Sequence, residues 1–163
     1  MKFFLKNKKG FSVIEIMIAC AIISTSIFAL VSSASKGVQL SNQVLKQTQA
    51  SILLEEGAEA VKSIRDNLWT DISSLTVGTT YYLSFNTTTN KWSLSTTAST
   101  IDFIFTRTIV ITAVNRDSND DITTSGGTLD LRTKKVSINV SWNNSSNTTT
   151  SKDLSFYMSD IFN

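Results

Sequence analysis

Histidine and proline are absent from this chain, and cysteine occurs once in 163 residues. Without histidine there is no imidazole base, no nucleophile–histidine pair and no mixed His/Cys zinc site. A single cysteine, Cys20, excludes an intramolecular disulfide; it sits in an apolar run and reads as a small apolar residue of that run. The lack of proline permits long unbroken helices and strands. No glycine-rich phosphate loop is present. Positive charge is scarce beyond one end: Lys+Arg number 15 against 13 Asp+Glu, but Lys2, Lys6, Lys8 and Lys9 all fall in the first ten positions. The remaining body is weakly acidic, with no basic patch for nucleic acid. These absences point away from an enzyme: no catalytic residue, cofactor or metal ligand set is expected.

What is present begins with residues 11–34, FSVIEIMIACAIISTSIFALVSSA, an apolar run with one charge, Glu15. As a helix it would span about 36 Å, enough for a hydrocarbon core of about 30 Å. Lysines precede the run and none lies within it, which places the N-terminus in the cytoplasm and the rest of the chain outside. Three plain readings compete. A secretory signal could be cut near Ser32-Ser33-Ala34, but its apolar region is usually about 7–15 residues. An uncleaved signal anchor and a buried core helix are the others.

Glu15 argues for something more specific. A carboxylate within the bilayer costs about 2.5–3.5 kcal/mol, and no cation lies near it on its own helix face. Cutting after Gly10 would create an α-amine on Phe11, positively charged near neutral pH. That amine is poorly placed to meet Glu15 within one helix. Between two staggered helices it reaches easily, so the pair would set an axial offset between neighbours.

Lys8-Lys9-Gly10-Phe11-Ser12-Val13-Ile14-Glu15 resembles the leader and processing site of type IV prepilins and type II secretion pseudopilins. Their pattern is a short basic leader ending in glycine, then phenylalanine, a small residue, two aliphatics and glutamate, before an unbroken apolar helix. The resemblance covers residues 1–35 closely and the rest only in general shape. It implies that a prepilin peptidase cuts between Gly10 and Phe11 and methylates the Phe11 amine. It implies also that Glu15 pairs with the Phe11 amine of an adjacent subunit, and that an assembly ATPase and a membrane platform protein extract the precursor from lipid. One departure stands out. Many type IV pilins carry a proline midway along this segment, where the helix loosens in the filament; here Ser32 lies near that place. A continuous helix, as expected of pseudopilins, is therefore at least as open.

Helix is expected to continue from residue 35 to about 72. Leu54, Ala58, Val61, Ile64, Leu68 and Ile72 recur at steps of three and four, one apolar stripe. Glu55, Glu56, Glu59, Lys62 and Arg65 fill much of the other face, with Glu59–Lys62 and Lys62–Asp66 at favourable spacings. From residue 11 to about 70 such a rod would be roughly 90 Å long, more than a globule of this size requires. Gly37 and Gly57 each weaken it by about 1 kcal/mol relative to alanine, and are read as simply tolerated, with bending or close helix approach as alternatives.

Beyond residue 72 the period becomes two. Residues 79–85 and 91–95 read as a hairpin joined through Asn86–Asn90. Residues 101–115 form a long strand with Phe103, Phe105, Arg107, Ile109, Ile111 and Ala113 on one side. Residues 134–142 present Val136, Ile138, Val140 and Trp142; residues 152–158 present Leu154, Phe156 and Met158. Such alternation belongs to antiparallel strands covered on one face, and the apolar stripe of the helix is the natural cover. The expected fold class is α+β, a long N-terminal helix packed on a C-terminal antiparallel sheet. The expected organisation is a leader at 1–10, a membrane and polymerisation helix at 11–34, its amphipathic continuation at 35–72 and an extracytoplasmic β head at 73–163.

The 117–121 segment, Asp-Ser-Asn-Asp-Asp, suggests a calcium loop, but Ile122 and Thr128 stand where that pattern needs glycine and glutamate. It reads as a turn. Tripeptides starting at Asn86, Asn139 and Asn147 fit the glycosylation pattern and are assigned no role. Three functions follow as expectations. The first is a structural subunit of a type IV pilus-like filament, or fimbrium, with itself, other pilins and, before assembly, membrane lipid as partners. The second is a secretion pseudopilin or a minor pilin for DNA uptake. The third, of another class, is a monomeric membrane-tethered binding module using Trp92, Tyr81 or Tyr82.

Overall fold

The computed structural model describes residues 10–144 and 148–161. The leader before Gly10 and Asn147, the first residue of the third glycosylation-type tripeptide, lie outside them. The chain divides into two compact units, one ending at Val44 and one beginning at Leu45.

The first unit holds the N-terminal part of α1, the helix Val13–Asn67. Val13, Ile14, Met17, Ile18, Ile22, Ile23, Ile27 and Phe28 are all exposed. Hydroxyls in the run bond back to the helix itself. Ser24 Oγ donates to Cys20 O at 2.7 Å, Ser26 Oγ to Ile22 O at 2.8 Å, and Thr25 Oγ1 to Ala21 O and Ile22 O. These polar groups are thus satisfied inside the helix and add little cost in an apolar surrounding.

The second unit is the head. Here α1 buries Ala50, Leu54, Gly57, Ala58, Ala60, Val61 and Ile64. Against this stripe lies a sheet with strands β1 (Thr80–Asn86), β2 (Lys91–Ser95), β3 (Phe105–Arg116), β4 (Ile122–Thr123), β5 (Thr128–Asn143) and β6 (Thr149–Ser159). The order is β2-β1-β3-β5-β6, with β4 paired to β3, and every pairing is antiparallel. Ile109 and Ile111 of β3 and Val136, Ile138 and Val140 of β5 are fully buried beneath the helix. A long N-terminal helix packed on a C-terminal antiparallel sheet is the pilin fold, as the alternating patterns predict.

Several details differ from the sequence expectation. The helix stops at Asn67, and Thr70–Ser73 form a separate turn of helix, α2. Leu68 consequently leaves the stripe and is exposed, whereas Ile72 reaches the core from α2. β3 begins at Phe105, not at residue 101. Asp102 and Phe103 turn with positive φ (52° and 56°), closed by Ile104 N–H on Ile101 O and Phe105 N–H on Ile101 O. Phe103 is 99% exposed instead of facing the helix. The face of β3 also switches late. Ala113 pairs with Lys134 but Val114 with Asp130, so Leu131–Thr133 bulge from β5 and Val114, not Ala113, turns inward. The 126–127 turn requires glycine: Gly127 has φ 77°, and a Cβ there would overlap Arg116 O.

Arg107 sits 5% exposed between sheet and helix. Its Nη1 donates to Leu53 O at 2.9 Å and lies 3.4 Å from Glu56 Oε2, and its guanidinium stands 5.9 Å from the Trp92 ring centre. Glu56 therefore does not simply face solvent. Lys62 pairs with Glu59 at 2.7 Å as the spacing suggests, but Asp66 pairs with Arg65.

Candidate assembly site

Gly10, Phe11 and Glu15 stand at the start of α1. Ser12 contributes the carbonyl that opens the helix, accepting from Glu15 N–H at 3.0 Å and Ile16 N–H at 3.2 Å. Glu15 falls in the first turn, where the positive end of the helix dipole favours a carboxylate. Gly10 has open space around it, and Phe11 is 78% exposed. Among the described residues no cation lies within ion-pair distance of Glu15. Among the described residues the carboxylate is therefore unmatched.

The apolar surface behind it is equally bare. α1 contains a stretch long and apolar enough to cross a membrane, and none of that stretch is buried within the chain.

Residues 5–34 match the family described as the prokaryotic N-terminal methylation motif. This motif is typical of type IV pilin and pseudopilin precursors. In this motif, and in the packing of a long N-terminal helix on an antiparallel sheet, the chain is similar to the type IV pilins and pseudopilins. The matched span covers Gly10, Phe11, Glu15 and the apolar run to Ala34. Comparison with curated proteins and with solved structures gives no match.

The rest of this pilin-like chain offers little chemistry. Among the described residues no group of three or more His, Cys, Asp or Glu is placed to hold a metal ion. In the 117–121 turn, Asp117 Oδ1 accepts Asn119 N–H at 2.8 Å and Asp121 N–H at 3.0 Å, an internal use of that oxygen. Arg116 donates from Nε to Asp130 Oδ2 at 2.7 Å and from Nη1 to Asp120 O at 2.7 Å. This bond to Arg116, aided by Thr133 and by Arg132 N–H, draws the Asp130 carboxyl down to about 2. Of the aromatics suggested for a binding module, Tyr81 is buried and its hydroxyl accepts Thr76 N–H at 2.9 Å. Tyr82 is half-buried, and Trp92 packs on Phe85 with ring centres 4.9 Å apart.

Proposed function

We propose that this protein is a structural subunit of a type IV pilus-like filament. The precursor sits in the cytoplasmic membrane with its N-terminus inside and its head outside. A prepilin peptidase removes the leader between Gly10 and Phe11 and methylates the new Phe11 amine. An assembly ATPase and a platform protein then move the subunit from lipid into a fibre of this chain and other pilins. There Glu15 of one subunit meets the Phe11 amine of the next.

The observation that carries this reading is a carboxylate unmatched among the described residues, at the start of an apolar helix whose membrane-length stretch those residues leave uncovered. Lipid covers that surface before assembly and neighbouring helices cover it afterwards, but only a neighbour supplies the charge. Glu15→Val should leave membrane insertion intact and remove the subunit from sheared fibres. Incorporation of Glu15→Val at the native level would refute the pairing.

A pseudopilin role is the second reading, favoured by one feature. α1 runs unbroken through Ser32 and Gly37, as a short rigid secretion fibre would use it. Copy number per cell separates the two: abundant surface fibres for a pilin, few subunits for a pseudopilin.

A further inference from the structure

We propose that the Phe103 end of the head docks on the outer surface of the membrane in the precursor, with a lipid interface as its partner. The proposal rests on the membrane-inserted precursor described above.

Phe103 is 99% exposed at a turn in which it and Asp102 both take positive φ. That backbone favours glycine or asparagine, and a bulky aromatic there is an outlier. The ring buries nothing in its own chain, so nothing within the head accounts for a phenylalanine at that position. Ile104 beside it is 47% exposed. Ile52 of α1, 59% exposed, lines with Leu53, Asp102 and Phe105 a small recess of about 140 Å³ next to the turn. Exposed apolar surface gathered in one place marks a contact.

The register shows which end of the head this is. Phe105 pairs with Trp142, and Lys46 Nζ donates to Asn143 O at 3.1 Å. The Phe103 turn therefore lies at the end where α1 enters the head. β1 runs toward that end and β2 returns from it, and their turn brings the Phe85–Trp92 pair there, with Phe85 44% exposed.

Chain length decides the partner. Ala34, the last residue of the apolar run, is eleven positions from Leu45, the first residue of the head. Such a segment spans about 16 Å as a helix and about 40 Å fully drawn out. This end of the head cannot travel far from the lipid headgroups. Its charges suit that position, with Lys46 and Lys91 against Asp102, while at the opposite end Asp117, Asp120, Asp121 and Asp130 outnumber Arg116 and Arg132. Exposed aromatic and aliphatic side chains beside lysine are the composition of an interfacial contact.

The test uses the full chain in vesicles of phosphatidylethanolamine and phosphatidylglycerol, nitroxide-labelled at one cysteine at a time. The sites are native Cys20, Ile104→Cys and Asn119→Cys, the latter two with Cys20→Ser. Collision with dissolved oxygen is compared with collision with a water-soluble nickel chelate. The label at 104 should shift toward the oxygen-rich range of the Cys20 label, and Phe103→Ser should return it to water; the label at 119 should remain in water throughout. A Cys20 label in lipid with the 104 label as wet as the 119 label overturns the docking alone. A Cys20 label in water overturns the membrane reading, and the docking with it. Dipolar broadening at 104 that vanishes on dilution with unlabelled chain, without an oxygen shift, assigns the patch to a second copy and also overturns the proposal.

Discussion

Gly57 of α1 and Arg107 of β3 share one space: a Cβ built on Gly57 would stand 3.1 Å from Arg107 Cδ. It would also meet Ile138 Cγ2 at 3.4 Å. The missing side chain lets the arginine run beneath the helix and reach Leu53 O. Gly57 is thus a packing requirement of helix on sheet, whereas Gly37 has nothing within 4 Å.

The two glycines should respond oppositely to alanine. Each substitution gains about 1 kcal/mol of helix propensity. At Gly57 the new methyl meets a side chain held at both ends, and overpacking costs about 1–3 kcal/mol. Gly57→Ala should therefore lower the melting temperature of the full chain in detergent, and Gly37→Ala should not. Circular dichroism melts distinguish them.

Arg107 makes a second contrast. Its Nε is buried with no partner among the described residues, and Glu56 is 44% exposed, so it returns to water if the guanidinium is removed. A flexible apolar chain of similar length should serve as well, because the desolvation of a buried ion offsets much of its attraction. Arg107→Met should leave urea stability unchanged or raise it. Arg107→Ala should lower it by about 2–4 kcal/mol through the cavity it opens.

Acid should act through Asp130. Its carboxyl is drawn from an ordinary 3.8 to about 2, chiefly by Arg116 and then by Thr133. A depressed folded-state value contributes stability that is fully present above about pH 4 and is lost as pH falls through about 2. Asp130→Asn should lower stability at neutral pH and flatten the loss between pH 4 and 2. Melting temperatures of both forms across that window check it.

Local chemistry was legible in the sequence, and long-range contact was not. The Gly10–Glu15 pattern needs only residue types in order. The alternation of Val136, Ile138, Val140 and Trp142 is likewise local, and it places β5 and its buried face. Phe103 misled because Ile101-Asp102-Phe103-Ile104-Phe105 alternates as a strand would, although its first four residues form a turn. Leu68 continued the helical spacing one step beyond the last helical residue. The match of Gly57 to Arg107 spans fifty positions of chain, and no periodicity within either element records it.

Processing between Gly10 and Phe11 underlies the proposed assembly, in which that cut creates the amine that pairs with Glu15. Mass spectrometry of the chain recovered from fibres or membranes measures it directly. The account predicts a first residue Phe11 carrying one methyl group, and retention of the leader in Gly10→Val. A mature chain that begins at Met1, or near Ser35, would contradict it.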